Sequence, residues 1–150
     1  MQKGNYTKED KDFMCLTDKS RNASRIKELI NFIKLNNFKK IGIASCFSVY
    51  EYAQKLKEVL EVEGLEVYIV HCKESRLEAC ELSSELKGLS CDPKSQAQYL
   101  NSKQTELNIN FGLCLGHGIL FNQYSNAPTT TLLVKDPLNQ HNIIGNFLWK

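Results

Sequence analysis

Three short apolar runs, separated by stretches with helical spacing, most constrain what this chain can fold into. The runs are 41–46, 66–72 and 109–114, and a fourth follows at 129–134. Ser48 opens a helical stretch that Gly64 ends, and Asp92-Pro93 opens another. Strands alternating with helices favour a parallel sheet covered on both faces. We therefore predict an α/β fold, a three-layer Rossmann-like domain with a mostly parallel sheet of about four or five strands.

The length of 150 residues suits one domain with a real core. Residues 1–20 are polar and lack periodicity, so we predict a flexible amino-terminal arm there and a single α/β domain over residues 21–150. Apolar residues at helical spacing predict a helix from Asn22 to Phe38. A capping-box pattern at Ser75 predicts a weaker helix that ends at Gly88.

Charge and hydropathy exclude two classes of partner. The formal net charge is only +2, and no block of Lys and Arg appears, so we expect no nucleic-acid binding. No apolar run approaches the roughly 20 residues that a membrane span needs. No secretory leader is recognisable, so we expect a cytoplasmic protein without a membrane partner. The sequence is compatible with a homo-oligomer.

Four of the six cysteines lie where an apolar run ends or where the next helix begins: Cys46, Cys72, Cys91 and Cys114. The carboxyl ends of parallel strands share one edge, where open α/β sheets bind ligands. With the strand order 2-1-3-4, Cys46 and Cys114 would flank the crevice directly. The face that Cys72 takes depends on register, because a shift of one residue reverses it.

Such a cluster suits a metal. Helix amino termini lower the pKa of nearby thiols, and four thiolates match tetrahedral zinc or an iron–sulfur cluster. We therefore predict a site for one of these cofactors, with the ligands Cys46, Cys72, Cys91 and Cys114, and with His117 as an alternate ligand or a supporting partner. No tight Cys-x-x-Cys pair is present, so the fold must bring the ligands together.

Two alternatives stay open. The first is a thiol enzyme in which Cys114 is the nucleophile and His117 the base. The glycine turn at Gly116 and Gly118 would offer backbone amides to a ligand. Lys135 and Asp136, at the end of the fourth strand, would lie on the same edge, and we assign these four residues to small-molecule or cofactor binding. The second is a non-enzymatic small-molecule-binding or assembly module whose cysteines only pack.

The segment from Cys91 to Asn142 resembles a known family. It reads CDPKSQAQYLN, then GLCLGHG, then SNAPTTTLLVKD, then HN. These motifs resemble an uncharacterised family described as metal-binding, the domain of unknown function eighteen-forty-seven, over roughly residues 22–149. The resemblance implies a metal site but no reaction, since the activity of that family is unassigned.

Two departures from the family pattern bear on function. Family members often carry a cysteine-rich amino-terminal segment, which the resemblance would make a metal-binding knuckle, but here that stretch holds only Cys15. Gly118 stands where the family has Asp, Pro137 where it has Arg, and Ile143 where it has Pro. The loss of an acid and a base argues against carrying a catalytic role over from the family and favours a binding or degenerate member.

Overall fold

The computed structural model describes residues 1–148, and its internal contacts divide the chain into two compact units. The first unit ends at Phe38 and the second begins at Lys39, whereas we had predicted a boundary near residue 20. Across residues 1–148, no helix is long and apolar enough to cross a bilayer.

Residues 1–38 form two helices, α1 (Lys8–Ser20) and α2 (Arg25–Leu35). We had expected a flexible arm where α1 lies. The Thr7 side chain accepts a hydrogen bond from the Asp10 amide, and the Asp10 carboxylate accepts one from the Thr7 amide. This capping box satisfies two free N–H groups at the helix start. Phe13 stacks on Phe32 of α2 with ring centroids 5.7 Å apart. A cap and one aromatic contact therefore accompany a helix whose apolar pattern is weak.

The second unit is an α/β sheet domain. In chain order its elements are β1 (Lys40–Ser45), α3 (Tyr50–Val62), β2 (Glu66–His71), α4 (Pro93–Ser102), β3 (Leu107–Phe111), α5 (Leu115–Tyr124) and β4 (Thr129–Leu133). Within the described residues the four strands form one parallel sheet in the order β2-β1-β3-β4. The predicted α/β fold and the order 2-1-3-4 are confirmed.

The helices cover both faces of this sheet. Right-handed crossovers place a connecting helix on opposite faces when the strand order reverses direction. The chain moves from β1 to β2 in one direction and from β2 through β3 to β4 in the other. We infer that α3 covers one face, against β1 and β2, and that α4 and α5 pack together on the other. The result is the predicted three-layer, Rossmann-like arrangement.

The core centres on β1 and β3, whose apolar side chains are buried. Ile41, Ile43 and Ile109 have no exposed surface. Gly42 lies between them under α4, where an added Cβ would overlap the Asn108 side chain and come within 2.8 Å of Leu100. A glycine is needed there because the helix approaches the strand closely.

The weak helix predicted after Ser75 is wrong. That segment holds a single 3-10 turn, Ala79–Glu81, and an antiparallel bridge joins Glu78 to Leu89. A capping box is present, but it forms between Glu78 and Glu81 instead of at Ser75, and it caps only this single 3-10 turn. Too few apolar residues follow at helical spacing to bury a longer helix.

Candidate functional site

The predicted cysteines lie at the carboxyl edge of the sheet, around the point where the strand order reverses. Cys46 directly follows β1, and Cys72 directly follows β2. Cys114 follows β3 by three residues and is the N-cap of α5. Cys91 precedes Asp92, the N-cap of α4. The connections after β1 and β3 each bring one thiol to this edge, and the connection between β2 and α4 brings two.

Three of these thiols stand in a hydrogen-bonded row. Cys91 Sγ lies 3.4 Å from Cys72 Sγ and donates to it. Cys72 in turn lies close enough to Cys46 for each thiol to shift the pKa of the other. The backbone N–H of Phe47 also donates to Cys72 Sγ, at 3.3 Å. Cys72 therefore faces the same edge as Cys46, which the sequence left open.

Lys135 joins the fourth cysteine to this row. Its Nζ lies 3.1 Å from Cys46 Sγ and 3.5 Å from Cys114 Sγ, and it donates to both. Lys135 lies two residues beyond the end of β4. The parallel pairing of β4 with β3 brings its side chain over the thiols. An ammonium group thus lies between two of the predicted ligands.

The hydrogen bonds of this row favour one thiolate, on Cys46. A hydrogen bond from Cys72 lowers the pKa of Cys46 well below its usual range, with contributions from Ser48 and Lys135, although burial opposes the shift. The hydrogen bond to Cys46, together with burial, raises the pKa of Cys72. Contact with Cys46 also raises the pKa of Lys135. We assign a thiolate to Cys46, a neutral donor to Cys72 and an ammonium to Lys135.

A buried glutamine holds the strand ends beneath the thiols. Gln96 on α4 is 1% exposed, and its Nε2 donates to the carbonyl oxygens of Ser45 at 3.1 Å and Val70 at 3.0 Å. Ser45 is the last residue of β1, and Val70 is the next-to-last residue of β2. Gln96 was not among the residues predicted from the sequence. Its position one helical turn from buried Pro93 and Leu100 was the available signal.

A cavity of about 290 Å³ adjoins the thiols between α5 and β4. Cys114 and Lys135 form part of its wall. Cys114 is half-buried, whereas Cys46 is 5% exposed. Of the four clustered cysteines, Cys114 is thus the one that can contact a ligand in this cavity.

The remaining predicted residues lie elsewhere or have other contacts. Within the described chain, His117 is half-buried and its side chain makes no hydrogen bond or ion pair. Gly116 faces open space, whereas an added Cβ at Gly118 would lie 2.7 Å from Asn110 Nδ2.

Asp136 organises the segment after β4 rather than the thiol row. Its carboxylate accepts hydrogen bonds from Asn146 and Asn139, and these bonds lower the pKa of that carboxyl group. Pro137 and Ile143 begin the two 3-10 turns of this segment, Pro137–Asn139 and Ile143–Phe147.

The predicted metal ligands are only partly brought together. Within residues 1–148, no group of three or more His, Cys, Asp or Glu side chains is arranged so that it could hold a metal ion. Sulfur chemistry suits zinc or an iron–sulfur cluster, but the ammonium of Lys135 lies between Cys46 and Cys114. A metal would require that side chain to move.

Comparison with known proteins places the chain in a family. A family model described as "Protein of unknown function (DUF1847)" matches residues 5–132. The chain belongs to this family. It is 42% identical over 127 residues to the uncharacterized protein MJ0455 of Methanocaldococcus jannaschii, a match that covers 81% of this chain and 65% of that relative. The chain therefore spans just under two thirds of that relative, and no solved structure matches.

The DUF1847 family description names no function, so the function of this member rests on its site. The family match includes the four clustered cysteines and stops three residues before Lys135.

The first prediction concerns Gln96. Gln96→Leu removes two buried hydrogen bonds at the ends of β1 and β2, so we expect the free energy of unfolding to fall by about 2 kcal/mol. Gln54→Leu, on the exposed side of α3, is the matched control and should change little. Urea denaturation measures both, and equal stability of the two variants would contradict this role for Gln96.

Proposed function

We propose that this protein carries out covalent thiol chemistry on a small molecule, with Cys114 as the nucleophile and with Cys46 and Lys135 moving its proton. One observation supports the proposal above all others. Lys135 Nζ lies within hydrogen-bonding distance of both Cys46 Sγ and Cys114 Sγ, and Cys114 lines a cavity. An ammonium group that is hydrogen-bonded to two thiols can stabilise a thiolate on either of the two sulfur atoms.

Burial separates the tasks of the two cysteines. Cys46 is 5% exposed and donors surround it, so it holds the charge but cannot reach a ligand. Cys114 is half-buried and borders the cavity. As the N-cap of α5, Cys114 also lies at the positive end of a helix. The negative charge therefore lies on Cys46 in the resting protein and on Cys114 when it attacks the ligand.

The proton moves by exchange through the ammonium. Lys135 gives a proton to the Cys46 thiolate and takes the thiol proton of Cys114, which leaves Cys46 neutral, Lys135 still positive and Cys114 as the thiolate. Cys114 then supplies the electron pair for a new sulfur–carbon bond to an electrophilic carbon. The bonding pair that this carbon gives up leaves with the departing group. No net charge is created in the buried site before the attack.

In this proposal Lys135 accepts the proton of Cys114, the role that the thiol-enzyme alternative assigned to His117 from the sequence. In the described structure Lys135 contacts Cys114, whereas His117 has no hydrogen bond to it. The pairing of Cys114 with His117 stays a prediction. The nucleophile is the same in both versions, and the proton acceptor differs.

The second prediction tests the role of Lys135 by alkylation. Iodoacetamide labelling near pH 6, mapped by mass spectrometry, should be fastest at Cys114, and Lys135→Met should slow it at least about tenfold, because an ammonium–thiolate hydrogen bond is lost. Lys87→Met, in an exposed loop, is the matched control. Exposed Cys15 and Cys80 serve as internal reference thiols in every sample.

The pH profile should separate Cys114 from those references. Because the pKa of Cys46 is lowered, first by the hydrogen bond from Cys72, the Cys46–Cys114 pair keeps its negative charge as the pH falls. The Cys114 rate should change little between about pH 8 and 6, whereas the rate at an ordinary thiol falls about tenfold for each unit. The proposal fails if Cys114 follows the pH dependence of Cys15 and Cys80.

A metal site is the second candidate. Sulfur ligands about 2.3 Å from a tetrahedral zinc ion lie about 3.8 Å apart. The 3.4 Å between Cys72 and Cys91 comes near this spacing, and Cys46 is hydrogen-bonded to Cys72. As described, the three side chains are not arranged to hold a metal ion. They would bind zinc or part of an iron–sulfur cluster only after they turn toward a common point, with Cys114 as the fourth ligand once Lys135 has moved away.

The third prediction decides between the two candidates. For protein purified without oxygen, the covalent proposal predicts well under one zinc or iron per chain by elemental analysis, together with a reactive Cys114. One metal ion per chain that Cys72→Ser loses and Cys80→Ser retains would establish the metal site instead. Cys80 is the control because it is exposed and lies outside the row.

A further inference from the structure

The cavity between α5 and β4 has one apolar wall. Leu113, Ile119 and Leu133 contribute aliphatic side chains to it. Ile119 is 61% exposed and Val134, also in the lining, is 47% exposed, so both offer aliphatic surface to a molecule in the cavity. This wall favours a ligand with an aliphatic part.

The other wall presents hydrogen-bond donors and one positive charge. An ammonium group has three donors, and Lys135 uses two of them on Cys46 and Cys114. The Asn110 side chain is buried, and its oxygen accepts from the Leu113 amide at 3.2 Å. Its Nδ2 makes no hydrogen bond within the described chain. Asp and Glu are absent from the described lining, so the charge of Lys135 is unopposed on the cavity side.

Gly118 keeps that donor accessible. A Cβ at this position would lie 2.7 Å from Asn110 Nδ2, closer than such contacts allow, so any side chain at residue 118 would displace the amide. With glycine there, Asn110 and Lys135 both line the same cavity. The site thus combines two donors and a short aliphatic wall.

We infer that this cavity binds a small aliphatic carboxylic acid, with the carboxylate against Lys135 and Asn110 and the chain against Leu113 and Ile119. The cavity volume of about 290 Å³ lies at the lower end of the range for small-molecule sites. A carboxylate matches an ammonium and an amide N–H, whereas a neutral aliphatic molecule would leave both donors unpaired.

This inference deepens the proposed function by naming its substrate class. Lys135 Nζ lies 3.5 Å from Cys114 Sγ. A carboxylate bound to that ammonium would hold its own first carbons beside the sulfur. The attacked carbon therefore lies within one or two bonds of the carboxylate, as in an acid that carries a leaving group on the carbon next to the carboxyl carbon.

Binding is tested by titration of isotope-labelled protein followed by NMR. The probes are straight-chain carboxylates from acetate to decanoate and the neutral amides of the same lengths. We expect the signals of Leu113, Gly118 and Ile119 to shift. Affinity should rise with chain length and fall once the cavity is filled. The carboxylate should bind about tenfold more tightly than its amide, because its hydrogen bonds are charged.

Three variants sharpen the result. Lys135→Met should remove the preference for the acid and keep weak binding of the amide, with Lys87→Met as the unchanged control. Ile119→Trp should block binding without disturbing the fold, since Ile119 is largely exposed. The inference is overturned if acid and amide bind equally, or if no cavity signal shifts up to the solubility limit of the probes.

Cys114→Ser separates this inference from the proposed function. Carboxylate binding should survive this substitution, whereas covalent labelling at residue 114 should vanish. Carboxylate binding with an unreactive Cys114 would overturn the covalent function alone. A reactive Cys114 without carboxylate binding would overturn the substrate class alone.

Discussion

The contact between Lys135 and the Cys46 sulfur is the interaction on which the rest of the site depends. A thiolate buried at the end of a strand is costly unless a cation and hydrogen-bond donors surround it. Cys46 has both, because Lys135 lies 3.1 Å away and Ser48 Oγ lies 3.2 Å away. The hydrogen bond from Cys72 lowers the pKa of Cys46 most, and Ser48 and Lys135 add to it, so without the ammonium the pKa of Cys46 would rise and the thiolate would have no cation beside it.

The parallel sheet explains why these groups meet. Its strands end at one edge, and three of the four cysteines there lie at or within a few residues of helix amino termini. Gln96 donates to the carbonyls of Ser45 and Val70, which keeps the ends of β1 and β2 together below Cys46 and Cys72. The strand order therefore brings the cysteines together, and the buried side chain of Gln96 fixes the strand ends beneath them.

Much of the fold followed from hydrophobic spacing, since the strands, their order and the shared edge were predicted and found. Helix α1 was not predicted, because its apolar pattern is weak and the capping box at Thr7 was not recognised. The orientation of Cys72 depended on register, which a single strand does not reveal. The partner of Cys114 was assigned to nearby His117 rather than to Lys135, because a contact across 21 residues comes from strand pairing.

The most direct test of the central claim is the protonation state of Cys46 in solution. With carbon-13 placed at the cysteine Cβ atoms, NMR follows each cysteine while the pH is changed, and Cys46→Ser assigns its signal. The account predicts that Cys46 is a thiolate near pH 6 and that Lys135→Met raises its pKa toward the ordinary thiol value of about 8.5. If all six cysteines are neutral thiols near pH 6, the account is contradicted.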